Sequence, residues 1–111
     1  MIARVLFMEP AREFIDSIPE KARKKVVFNI NRVSCGEMDK ELFKKLSDNG
    51  IWEFRTLYNG VQYRLLAFWD TAQNAIVIAT HGFVKKTQKT PQKEIDRAMA
   101  LRDAYFNDKE R

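Results

Sequence analysis

The chain has 111 residues, 45% of them hydrophobic and 32% charged, which fits a single soluble domain over residues 1–111 with one core. Its 20 lysines and arginines outnumber 15 acidic residues, and the net charge of +5 suits a nucleic acid or an acidic protein as partner. One cysteine, Cys35, excludes an internal disulfide or a cysteine-based metal site and favours a reducing cytoplasm. No apolar run is long enough for a signal-peptide core or a membrane span, so no membrane partner is expected.

Residues 2–7 are rich in β-formers and predict a first strand. Glu9-Pro10 opens a helix, because proline suits a first turn, and Ala11, Phe14, Ile15 and Ile18 form its apolar stripe. Ser17 and Glu20 have capping-box spacing for a second helix, with Pro19 inside its first turn. Ala22, Val26, Ile30 and Val33 recur at helical spacing, and Arg23, Lys24 and Lys25 fall largely off that stripe. Gly36, after Cys35, is the expected stop. Residues 38–46 read either as a short helix or as a loop with Leu42, Phe43 and Leu46 tucked in. Asp48-Asn49-Gly50 is a turn, followed by strands over 51–58 and 61–69, a longer turn at 70–74, and a strongly β-prone strand over 75–83 that ends near Gly82. Residues 84–90 form a basic loop. Thr90 is placed to cap a last helix with Pro91 at its first position, and Ile95, Ala98, Met99, Leu101, Tyr105 and Phe106 give that helix its apolar side. The order β-α-α-β-β-β-α predicts an α+β fold, a mostly antiparallel sheet with its helices packed on one face.

Asn59-Gly60 between two alternating segments is a strong hairpin signal, because a type I′ turn needs positive φ at both centres. A two-residue loop fixes the register: Tyr58 faces Val61, Leu57 faces Gln62, Thr56 faces Tyr63 and Arg55 faces Arg64. Trp52, Phe54, Tyr58, Val61, Tyr63, Leu65 and Ala67 then share a core face. Glu53, Arg55, Gln62 and Arg64 share the opposite, uncovered one, where Phe68 is a further stacking or packing element. Like charges directly opposite destabilise a sheet, and an anionic ligand is the simplest reason to retain them.

Metal-free RNA cleavage requires such a face. The 2′-hydroxyl must lose a proton and attack the adjacent phosphate, charge builds on the phosphate oxygens, and the 5′-oxygen must gain a proton. Arg55 and Arg64 suit the phosphate role, since a guanidinium is always charged and binds two oxygens at once. Lys85, Lys86 and Lys89 can close over the same face. His81 is the one side chain with an unperturbed pKa near neutrality, and Glu53 is either a base or the partner that orients an arginine. Arg23, Lys24 and Lys25 can track phosphates. Each feature has a plainer reading as well: exposed sheet faces often carry charge, a basic loop is commonly just solvated, and a lone histidine at a strand end is commonly structural. The register of the 75–83 strand decides where His81 points. Pairing Arg64 with Ala79 puts it on the polar face opposite Gln62, and pairing Arg64 with Thr80 turns it away. One histidine and one cysteine far apart make no zinc site, and no metal or cofactor is expected.

Three stretches carry a family resemblance: Trp52-Glu53-Phe54-Arg55, Tyr63-Arg64-Leu65-Leu66, and His81-Gly82-Phe83-Val84-Lys85-Lys86-Thr87-Gln88-Lys89-Thr90-Pro91. Together they resemble the RelE/ParE toxin superfamily, and the last is similar to its HigB-like, phage-derived branch. The resemblance spans most of the chain and implies the RelE-like fold. It implies a toxin of a type II toxin–antitoxin pair, held by a protein antitoxin, often of helix-turn-helix type, through which alone it meets DNA. It further implies a metal-independent endoribonuclease that cuts mRNA in the ribosomal A site, leaving a 2′,3′-cyclic phosphate and a 5′-hydroxyl. By position, Arg64 corresponds to the family's strand arginine near the scissile phosphate. Arg55, Lys85 and Lys86 stand where other members place basic catalytic residues, and His81 stands near a position used by members with a histidine acid. No tyrosine follows the last strand as it does in some members, which leaves the acid unassigned. ParE-like members poison DNA gyrase instead, so a gyrase inhibitor and a non-catalytic interaction module stand as alternatives.

Overall fold

The Asn59-Gly60 turn sets the frame of the sheet. Asn59 and Gly60 take φ of 51° and 77°, the type I′ pair whose twist matches the flanking strands. The resulting register is the expected one, Tyr58↔Val61 through Arg55↔Arg64. The structure, a computed structural model, describes residues 3–46, 48–72 and 76–109.

In chain order the elements are β1 (Arg4–Phe7), α1 (Glu9–Ser17), α2 (Glu20–Ser34), β2 (Phe43–Lys45), β3 (Trp52–Tyr58), β4 (Val61–Asp70), β5 (Ile76–Lys85) and α3 (Gln92–Lys109). The strands form one sheet in the order β1-β5-β4-β3-β2. Among the described residues, only the β1–β5 pairing is parallel. The class is α+β with a mostly antiparallel sheet, as expected. Ile2 and part of the 70–74 turn lie outside the described residues.

One strand is additional to the predicted order. Within residues 38–46, Phe43 pairs with Phe54 and Lys44 with Glu53, so β2 forms an edge strand in place of a short helix or loop. Three residues are too few to show alternation. What holds them is tertiary: the Phe43 ring stacks on Trp52 and Phe54, with centroids 4.8 and 4.4 Å away.

All seven apolar residues assigned to the core face of the hairpin pack there, against Val26, Ile30 and Val33 of α2 and Phe14 of α1. Burying each large aliphatic side chain there stabilises the fold by roughly 1.5–3 kcal/mol. The end of α2 is a Schellman motif: Gly36, at φ 103°, donates its N–H to Val33, and Glu37 donates to Arg32. Its start differs from the expected capping box. Ser17 closes α1 and donates its hydroxyl to the Phe14 carbonyl, so Pro19, with extended ψ, is the N-cap.

The helices do not all share one face. α1 and α2 cover the first, while α3 crosses the other, packing Ala98, Ile95, Met99, Tyr105 and Phe106 on Leu66, Phe68, Ile76 and Ile78. The reason lies in β4, whose residues 63–68 are buried on both faces, a pattern that needs cover from two sides. Phe68 is on the Arg64 side as expected. It packs beneath Tyr105 and Phe106, with ring centroids at 5.3 and 5.5 Å, and offers no free stacking surface.

β5 corrects both proposed registers. Arg64 pairs with Phe83, and His81 lies opposite Leu66 rather than Gln62, because the strand runs past Gly82 to Lys85 and carries a bulge. Pairing passes from Leu66↔His81 to Ala67↔Ala79, which leaves Thr80 as the extra residue. Gly82 is not a stop. A Cβ there would stand 2.2 Å from the Phe14 ring, so glycine admits the contact between α1 and the sheet.

Candidate active site

The site begins with a buried carboxylate. Glu53 on β3 is 1% exposed, although it lies on the charged side of the hairpin. Its Oε1 is 3.3 Å from Nε of Arg64 and 3.6 Å from Nε of Arg55. These are ion-pair contacts without hydrogen-bond alignment, since both Nε groups lack a hydrogen-bond acceptor. The other oxygen, Oε2, accepts a hydrogen bond from the Thr90 hydroxyl. Thr90 therefore does not spend its side chain capping α3; it ties the loop before that helix to the carboxylate.

Arg64, directly opposite Arg55 on β4, is itself buried, at 4% exposure. Nη1 donates to the Tyr63 carbonyl at 3.1 Å and Nη2 to Gln62 Oε1 at 2.7 Å. Burial, more than any other cause, lowers its pKa from the usual arginine value, and Arg55 pushes the same way, while Glu53 opposes both. Arg55 reaches further out. Its Nη1 donates to the Lys40 carbonyl at 3.2 Å, and about a quarter of its side chain is exposed. Of the two arginines expected to grip a phosphate, Arg64 is thus the inner one and Arg55 the outer one.

Two adjoining recesses open beside Arg55. One, of about 480 Å³, is lined by Gln62, Lys86 and Thr87. The other, of about 460 Å³, is lined by Lys44, Leu46, Lys89, Gln92 and Ile95, with Glu53 and Thr90 behind. Arg55, Lys85 and Gln88 line both, so the recesses form one cleft with these three residues at its waist. Lys85 ends β5 opposite Gln62. Its pKa is lowered, first by burial and then by the charges of Arg64, Arg55 and Lys44, with Glu53 opposing. A fixed guanidinium beside an amine of lowered pKa can hold a phosphate and exchange a proton next to it.

The structure therefore brings together Glu53, Arg55, Gln62, Arg64, Lys85, Lys86 and Lys89. It does not bring His81 to them. That ring is 1% exposed under α3, with Nε2 3.1 Å from Glu94 Oε1 and Nδ1 3.1 Å from the Thr80 hydroxyl. Burial holds its pKa below the usual histidine value, against the hydrogen bond that Nε2–H donates to Glu94. Arg23, Lys24 and Lys25 lie on α2, across the sheet from the cleft. Arg23 donates to the Ile18 carbonyl at 3.5 Å, Lys24 pairs with Glu20 at 3.4 Å, and Lys25 donates to the Leu57 carbonyl beside the Tyr58 ring. Sequence reasoning missed Lys44, whose place opposite Glu53 depends on the short β2, and the Thr90–Glu53 link, which no local pattern announces.

Among the described residues, no cluster of three or more His, Cys, Asp or Glu is placed to hold a metal ion, and no helix is long and apolar enough to cross a membrane. Residues 13–103 match the family described as Phage derived protein Gp49-like (DUF891). No curated protein matches the chain. The fold is similar to that of a chain in the crystal structure of the toxin–antitoxin complex RelBE2 from Mycobacterium tuberculosis, at 22% identity and a TM-score of 0.52, covering 74% of this chain and 96% of that one.

Proposed function

We propose the following reading for this chain, which belongs to the phage-derived Gp49-like family. It is the toxin of a type II toxin–antitoxin pair in the RelE/ParE superfamily, of the HigB-like branch. It is a single-domain, metal-independent endoribonuclease that acts in the cytoplasm on mRNA held by the ribosome. The observation that carries this reading is the waist of the cleft, where Arg55 and Lys85 meet above the buried Glu53–Arg64 pair. Arg55 holds the scissile phosphate and stabilises the charge that develops on it. A neutral fraction of Lys85 takes the proton of the 2′-hydroxyl as that oxygen attacks phosphorus. The bond from phosphorus to the 5′-oxygen breaks, and an ammonium of the following loop, of which Lys86 faces the same cleft, supplies that oxygen's proton. The products are a 2′,3′-cyclic phosphate and a 5′-hydroxyl. Glu53 and Arg64 position Arg55 from behind. A site built mainly of cations leaves alignment of the nucleophile to the ribosome, and such positioning is worth as much as the chemical groups themselves.

The partner that restrains it is a protein antitoxin, a reading supported by the toxin–antitoxin complex in which the similar fold was crystallised, and the resemblance to the HigB-like branch suggests the helix-turn-helix type. A groove of about 530 Å³ between α1, α2 and β1, with Val5, Phe7, Ile15 and Val27 in its wall and Arg4, Arg12 and Asp16 at its side, offers that partner an apolar surface with charged flanks.

Mapping mRNA 5′ ends after brief induction, for the parent, Arg55→Ala and Lys85→Ala, tests the reading. New cuts within translated regions that vanish in both folded variants support it. Growth arrest with intact mRNA overturns it in favour of a gyrase-type target, and neither arrest nor cuts leaves a non-catalytic binding module.

A further inference from the structure

Gln62 stands between a buried cation and an open cleft. It precedes Arg64 by two residues on β4, so the two side chains share one face of the sheet. Across to β5 it pairs with Lys85, which lines the waist of the cleft with Arg55. Gln62 itself is exposed and lines the recess that continues from that waist to Lys86 and Thr87. Arg64 is 4% exposed and belongs to the lining of neither recess, so none of its own donors meets a ligand there.

The Gln62 amide has a defined sense. Nη2 of Arg64 donates to Gln62 Oε1 at 2.7 Å. A guanidinium carries five N–H donors and no acceptor, so only the amide oxygen can face it. The NH2 group, with both of its hydrogens, is thereby turned away from Arg64 toward the open side of the residue, which is the cleft. The bond also changes what that group offers. A cation hydrogen-bonded to the oxygen of a conjugated amide draws electron density from its nitrogen, and the N–H becomes a stronger donor.

We propose that Gln62 contacts the scissile phosphate: its amide N–H, oriented and strengthened by Arg64, donates to a non-bridging oxygen of the phosphate held at Arg55. This rests on the reading that the cleft takes RNA. It gives the buried Arg64 a second task besides supporting Arg55, because its charge is carried to the cleft through a neutral amide. The Arg55 guanidinium and the Gln62 amide then meet the phosphate oxygens from two strands, β3 and β4, where charge builds in the transition state. Lys85, on β5 beside Gln62, is left to its proton.

The test is an NMR titration of the full chain, with side-chain signals observed, using inorganic phosphate and a 2′-deoxy dinucleoside monophosphate, which the proposed chemistry cannot cut. Either ligand is expected to move the Gln62 side-chain amide signals together with those of Arg55 Nε and Lys85 Nζ. Gln62→Met has no N–H to give and should bind phosphate about tenfold more weakly, the worth of one hydrogen bond to a charged group. It should slow cleavage of translated mRNA by about 100-fold. That variant also takes an acceptor from Arg64, so Gln62→Glu separates the two roles. Its carboxylate keeps the bond from Arg64, and Tm should equal or exceed that of the parent. It has no N–H to donate, and both phosphate binding and cleavage should be lost. A Gln62 amide that stays still while Arg55 and Lys85 respond overturns the contact and leaves the ribonuclease reading standing. A Gln62→Met chain that binds phosphate as the parent does, or a Gln62→Glu chain that cuts mRNA as the parent does, overturns it too and reduces Gln62 to a structural support of Arg64. No response at any of the three residues overturns the contact together with the anion role of the waist. Gln62 signals that respond in a chain that cuts no mRNA keep the phosphate contact and overturn the ribonuclease reading.

Discussion

Glu53→Leu is the substitution with the most to say about how the site is held. Glu53 and Arg64 have side chains 2% and 5% exposed, so the carboxylate is the main compensation for a guanidinium removed from water. Removing one partner of a buried pair costs about 3–5 kcal/mol. Arg64 keeps its bonds to Gln62 and the Tyr63 carbonyl, which argues for the lower end, about 3 kcal/mol. Thr90 loses its acceptor, adding about 1 kcal/mol. With an unfolding entropy near 2.1 cal/mol/K per residue, 1 kcal/mol moves Tm by about 4 °C in a chain of this length, so Glu53→Leu should lower Tm by about 15 °C. The double variant Glu53→Leu/Arg64→Met removes both charges and should regain most of that, because apolar side chains of similar volume replace buried ion pairs at little cost. Arg55 is a quarter exposed and keeps water in either background. Thermal and urea unfolding followed by circular dichroism measure both variants. A single variant within about 1 kcal/mol of the parent, or a double variant no more stable than the single one, would refute the view that Arg64 is a supporting cation.

Lys85→Met should leave Tm within a few degrees of the parent and slow RNA cleavage by about 100- to 1,000-fold, read by primer extension on translated mRNA. Gly82→Ala sets a methyl 2.2 Å from the Phe14 ring and should cost about 1–3 kcal/mol, a fall in Tm of about 4–12 °C. Gly60→Ala meets no atom within 4 Å, and only its positive φ should register, at about 1 kcal/mol. Stability should also fall with acid in two stages. His81 has a folded pKa below 6.5, so its contribution is complete above that value and declines as pH drops below it. Asp70 is held below 3.8, first by the hydrogen bond from Lys109 and then by that from Tyr105, so its contribution is lost as pH falls through the folded value. Between pH 4 and 2 the Tm of the parent should therefore fall more steeply than that of Asp70→Asn, and parallel slopes would count against this role. Val27→Asp, in the groove beside α1, should abolish capture by the antitoxin while mRNA cutting continues.

Much of the fold was legible because its signals are local. The Asn59-Gly60 turn fixed seven pairings at once, and the 3.6-residue spacing of Ala22, Val26, Ile30 and Val33 named the buried stripe of α2. What escaped depends on partners distant in the chain. β2 exists because Phe43 finds Trp52 and Phe54, and the β5 register depends on a bulge at Thr80 whose hydroxyl donates to the Leu66 carbonyl, 14 residues away. The site divides in the same way. Glu53, Arg55, Gln62 and Arg64 could be placed together from one hairpin, and the lysine loop followed from its position after a strand. That Arg64 lies behind Arg55 could not be read, because alternation does not say which of two facing side chains is the buried one, and that His81 lies under α3 could not be read, because it follows from how α3 crosses the sheet.

That crossing links the stability of α3 to the chemistry of the cleft. Tyr105 and Lys109 bind the buried Asp70 at one end of the helix, Glu94 binds His81 nearer the start, and Thr90, just before it, binds Glu53. The same helix covers the apolar half of the face and stops short of the charged half, where Arg55 and Lys85 line an open cleft. Even spacing of charges on β3 and β4 says nothing of this division. It arises because β4 alternates Arg64, then Leu66 and Phe68, along one face, so the sequence changes from polar to apolar at the point where the bulge realigns β5. Displacing α3 should therefore release Thr90 from Glu53 and loosen Arg55, disordering the cleft without any substitution within it.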